Sequence, residues 1–175
     1  MKYLAFAVIS KPQTKLVYDL SKFIQAAGCN ILEMRWVTLG KEGVGSYLLS
    51  GNWNAIAKLE VGFPHFERKH EITIIPRRVE LTEPHADRLP YTVYVTSQDR
   101  AGIFEDVMGF LTSEDAEIIE VNAYTYVGRF TKAPMASLTI ALSLPASLLI
   151  SDFRERFIVF CDELNLDATL EPDKG

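Results

Sequence analysis

Asp99 and Gly102 stand together in TSQDRAGIFEDVMGFL (96–111), where a polar turn opens into an apolar repeat of helical spacing. Such a turn offers the chemistry of a small charged ligand. At a helix N-terminus the first amides lack intrahelical partners and the macrodipole is positive, so an anion is favoured there. Gly102 has no Cβ and lets a ligand approach the backbone closely. Asp99 offers a carboxylate to an ammonium group, and a free amino acid carries both charges. A plainer alternative stays open: Asp99 caps a helix over 102–114, and Glu105 and Asp106 complement its dipole.

Few other residues invite chemistry. His65 and His70 flank the expected start of a strand, a spacing that does not put two imidazoles on one helix face, and with His85 they read as solvent-facing loop residues. No nucleophile elbow, zinc-protease or P-loop pattern is present. GKEGVG (40–45) joins two strands and so lacks the helix N-terminus that cradles phosphate. Tyr91, Tyr94, Tyr124 and Tyr126 on an open sheet face would suit base stacking, but the accompanying basic residues are missing, and packing explains them better. Cys29 and Cys161 have no metal-ligand spacing and are expected as buried thiols. No catalytic group, metal or cofactor is expected.

The 175 residues are 48% hydrophobic and 23% charged, a composition suited to a folded core. A net charge of −5 disfavours direct binding to nucleic acid. No apolar run reaches the roughly 20 residues of a membrane span, and MKYLAFAVISKPQTK continues as a strand with no cleavage site, so a cytoplasmic address is expected.

The elements that would hold the turn repeat along the chain. Shifted by 87 positions, LAFAVIS (4–10) falls on YTVYVTS (91–97), and GCNILEM (28–34) on DAEIIEV (115–121). Between them Leu16, Val17, Leu20, Phe23 and Ile24 fall on Ile103, Phe104, Val107, Phe110 and Leu111, the stripe of a helix with one buried face. Each copy predicts a strand (3–9; 91–97), a helix (13–27; 102–114), and a second and third strand joined by a hairpin. The first hairpin is expected to turn at Gly43–Gly45, the second in a longer loop with Gly128 and Pro134. WNAIAKLE (53–60), capped by Asn52, and DFRERFIVFCDEL (152–164), capped by Ser151 or Asp152, supply a second helix. HEITIIP (70–76) and LDATLEP (166–172) close each copy. The fold class is α+β: two tandem ferredoxin-like βαββαβ units, each an antiparallel four-stranded sheet with helices on one face. The first is expected over 1–79 and the second over 90–175. A proline-punctuated linker over 80–89 joins them, with a short strand at Val79–Leu81.

The duplicated order, together with DRAGIFEDVMGFL after a strand, resembles the ACT domain, a small-molecule-sensing module. GCNI, the TLG before the first hairpin and LLSGNWNAI resemble the family of glycine cleavage system transcriptional repressors. That resemblance implies a non-enzymatic cytosolic regulator that responds to a small, glycine-like amino acid and acts through a LysR-type transcription factor. It also implies units that pair side by side, and the strand edges of each unit favour either pairing within the chain or a homodimer. Carried over, the binding turn is Asp99, Arg100, Ala101, Gly102 and Ile103. Asp99 takes the ammonium group, the Gly102 and Ile103 amides take the carboxylate, and Arg100 leans to solvent. Asn122, polar among apolar neighbours on the second strand, is expected to face a ligand across the pair. The first copy has Pro12 and Lys15 in place of Asp99 and Gly102, which predicts one competent site per chain. A purely structural interaction module with no ligand is the competing reading.

Overall fold

A computed structural model describes residues 1–81 and 87–173, and the chain divides into two units, Met1–Glu83 and Pro84–Gly175. In the first unit, strand β1 (Lys2–Ser10) buries Leu4, Phe6 and Val8, every second residue, as a sheet with one covered face requires. Helix α1 (Leu16–Ala27) follows, then β2 (Asn30–Leu39), β3 (Glu42–Gly51), α2 (Trp53–His70) and β4 (Thr73–Val79). The sheet order is β2-β3-β1-β4, antiparallel throughout. Leu16, Leu20 and Ile24 of α1 and Ile56, Leu59, Phe63 and Phe66 of α2 close over that face.

The second unit repeats the plan with β5 (Arg88–Gln98), α3 (Ile103–Ser113), β6 (Glu117–Val127), β7 (Pro134–Pro145), α4 (Ile150–Glu163) and β8 (Asp167–Pro172). Its sheet order, β6-β7-β5-β8, is the same permutation. Ile103, Val107 and Leu111 of α3 and Phe153, Phe157 and Cys161 of α4 pack on Val93, Val95, Leu138, Ile140 and Leu142. Both second strands skip one residue against their partner, Leu32 in β2 and Ile119 in β6. Such a bulge puts the residues after it on the opposite face from the one that simple alternation predicts.

Several boundaries differ from the sequence-based expectation. The first hairpin turns at Gly40–Lys41, and Gly43 and Gly45 lie inside β3. Helix α2 runs on through Pro64 to His70. Burying Phe63 and Phe66 on either side of the proline, at about 1.5–3 kcal/mol each, outweighs the roughly 3 kcal/mol that an interior proline costs. His65 and His70 are therefore helical, with His65 exposed and the His70 ring stacked on Phe66 at 4.2 Å. Val79 ends β4, and Glu80 and Leu81 form no strand. Strand β5 starts at Arg88, inside the stretch expected as linker, of which residues 82–86, His85 included, lie outside the described residues. Asn52 caps α2 as expected, accepting the Ala55 N–H at 2.8 Å. Helix α4, however, starts from Leu149 with no side-chain cap, and the Ser151 hydroxyl donates to Asp152 instead. Tyr94, Tyr124 and Tyr126 do lie on the face away from the helices, whereas Tyr91 packs on the core. No described helix is long and apolar enough to cross a membrane.

Candidate functional site

The turn between β5 and α3 is built around the backbone of Gly102, at φ 93° and ψ −12°. This left-handed conformation is one that an L side chain rarely adopts. A Cβ at Gly102 would meet only Arg100 Nη1 at 3.8 Å, so conformation rather than space selects the glycine. The first helical hydrogen bond runs from the Asp106 amide to the Gly102 carbonyl at 2.9 Å. The amides of Ile103, Phe104 and Glu105 precede it and are the unpaired donors of the helix start. No side chain caps them.

Asp99 is held by its backbone, its N–H donating to the Pro134 carbonyl of β7 at 3.0 Å. Its carboxylate is exposed and engages in no hydrogen bond or ion pair among the described residues. The capping alternative therefore has no counterpart in the geometry. Arg100 is exposed to solvent and is also held at the turn. Its guanidinium bonds Asp106 Oδ2 at 3.0 Å and the Ala101 carbonyl at 3.3 Å, lying back over the first turn of α3. Among the described residues no group of three or more metal-ligating side chains converges. Burial pushes the Cys161 thiol up to about 11, and Cys29 is likewise raised, which leaves both as protonated buried groups at neutral pH.

Beside the turn, an open cleft of about 370 Å³ runs between the start of α3 and the edge strand β6. Asp99, Arg100 and Gly102 line one side, together with Ile103 and Phe104. Ala123, Tyr124 and Thr125 line the other, over a floor that includes Ala136 and Leu138. Four of the six expected residues thus meet at one cleft, and Ala101 sits in the same turn. Asn122 does not join them. It stands opposite Thr139, on the face away from the helices, because the bulge at Ile119 turns Ala123 and Thr125 toward the cleft instead. Thr125, opposite the buried Ala136, is the polar position on β6 that sequence alternation overlooks.

No family model matches the chain. Two curated relatives, from Escherichia coli (strain K12) and Shigella flexneri, are each 25% identical over 170 residues, covering 96% of this chain and 88% of the relative. Both are named glycine cleavage system transcriptional repressor. The chain resembles that repressor over nearly its whole length. A crystal structure provisionally described as the same repressor superposes with a TM-score of 0.74 at 20% identity, covering 99% of this chain and 98% of the other. A structure of an unknown protein from Galdieria sulphuraria gives 0.77 at 22% identity, with 98% of both chains covered. The tandem ferredoxin-like arrangement is thus the fold of a repressor-like structure end to end, and the sequence likeness to the repressors supports a regulatory role.

Proposed function

We propose that the chain is a non-enzymatic cytosolic regulator whose second unit binds a small amino acid, glycine-like in size. It would modulate transcription of glycine cleavage genes through a protein partner, the LysR-type factor that the repressor resemblance implies. The observation that carries the amino-acid site is the unengaged Asp99 carboxylate on the same cleft as a glycine-built helix start. An ammonium group at Asp99 and a carboxylate at the amides of Gly102 and Ile103 would satisfy both ends of one zwitterion.

Thermal denaturation with glycine, alanine, serine and larger amino acids tests this. At about 100 times its dissociation constant a ligand adds about 2.7 kcal/mol, a rise on the order of 10 °C for a unit of this size. Asp99→Ala is expected to abolish the rise while leaving the unliganded melting point within about 0.5 kcal/mol of wild type, since no cap is lost. A full rise in the variant removes Asp99 from the site, and no rise with any amino acid leaves the interaction-module reading. That second reading has its own support in β6, an edge strand exposed along its whole length and carrying Ile118, Ile119, Val121, Tyr124 and Tyr126.

A further inference from the structure

The first unit holds the counterpart of the cleft, and we infer that it is an aromatic-binding slot filled from within by the indole of Trp36. The inference rests on the packing of the first unit alone and is independent of amino-acid binding by the second. Strand register fixes the correspondence. Gly45 pairs with Val8 and Trp36, and Gly43 with Ser10 and Thr38. Leu138 pairs with Val95 and Ala123, and Ala136 with Ser97 and Thr125. Trp36, Gly43 and Gly45 therefore occupy the stations of Ala123, Ala136 and Leu138, which line the second unit's cleft.

At these stations the sizes are exchanged. A Cβ on Gly43 would come within 2.7 Å of indole Cζ2, and one on Gly45 within 2.5 Å of Cε3. Real side chains do not approach that closely, so the ring lies flat against the β3 backbone across both glycines. Both are buried. The Ser10 hydroxyl, 3.3 Å from the same Cβ position at Gly43, is 3% exposed and has no hydrogen-bond partner among the described residues. It is sealed in the layer on which the ring rests. Above the slot the charge-reading groups are gone. Pro12 and Lys15 stand where the second unit has Asp99 and Gly102, and the Lys15 backbone is right-handed rather than left-handed. The slot therefore suits a planar apolar ring and offers no partner for an ammonium group, and the chain supplies that ring itself.

Emptying the slot tests this directly. Trp36→Ala is expected to melt several degrees below wild type and to regain most of the loss with millimolar indole, to which wild type does not respond. Trp36→Ala/Gly45→Leu, with the floor filled as in the second unit, is expected to show no indole response. A folded Trp36→Ala that melts like wild type or ignores indole overturns the inference, as does a response that persists in the double variant. Should Trp36→Ala fail to fold, Trp53→Phe leaves Trp36 as the one remaining indole of the two in the chain. Its emission is then expected blue-shifted from free tryptophan, with acrylamide quenching several-fold weaker. Emission and quenching like those of free tryptophan refute the slot.

Discussion

At the scale of single residues, the site depends on which side chains are left without intramolecular work. Arg100 is committed to Asp106, while Asp99 is not, although the two are adjacent in sequence and equally polar. Composition shows that both are present; only the fold shows which is spent. Gly102 was legible in type but not in reason, since its left-handed backbone, not the space around it, excludes other residues. An alanine there is expected to cost about 1–2 kcal/mol. Asn122 stands away from the cleft for a specific physical cause: one extra residue at Ile119 inverts the parity of β6. The two strand positions make separable predictions. Thr125→Val is expected to weaken amino-acid binding by up to roughly tenfold, the worth of one hydrogen bond, and Asn122→Ala to leave it unchanged. Calorimetric titration of both variants checks this, and the reverse pattern would put the ligand on the other face of the sheet.

At the scale of elements, helix spacing and strand alternation made the strands and helices of the two units legible, because all but the edge strands β2 and β6 bury a single face. Boundaries were harder where a residue's local preference opposed its packing. Pro64 removes a backbone donor inside α2, yet the helix continues because Phe63 and Phe66 are held in the core. The glycines of β3 read as a turn because their role, yielding space to Trp36, comes from a neighbouring strand. Between elements, Glu114 at the end of α3 accepts two hydrogen bonds from Arg156 of α4, at 2.5 and 2.8 Å. Those bonds hold its carboxyl below the ordinary glutamate range. A lowered folded value means that the contribution is complete above the unfolded pKa of about 4.3 and disappears as pH falls through the folded one. Glu114→Gln is expected to melt lower than wild type at pH 7, by the equivalent of up to about 1 kcal/mol for a pair whose arginine is about half exposed, and to converge with it once the pH has fallen below the folded value. Melting curves across that range check the sign, and a gap that widens on acidification contradicts it.

At the scale of the whole chain, the repeat was the most legible feature, since the same pairing steps recur from Val8 with Gly45 to Val95 with Leu138. What the repeat hid is how differently the two copies are furnished. Matching apolar positions predict the same core, but not that one copy would close with an indole what the other leaves open. The bare edge of β6 belongs to this scale, because unpaired strand edges invite a second chain. Wild type is expected to sediment as a dimer at micromolar concentration and Val121→Lys/Tyr124→Lys as a monomer; a monomeric wild type contradicts pairing through this edge. The bulge common to β2 and β6 carries a last consequence. An extra residue at the same step of two ladders points to descent from one ancestral half-length gene product. The duplication therefore carried its irregularity along with its core, and the two copies keep one strand parity beneath different side chains.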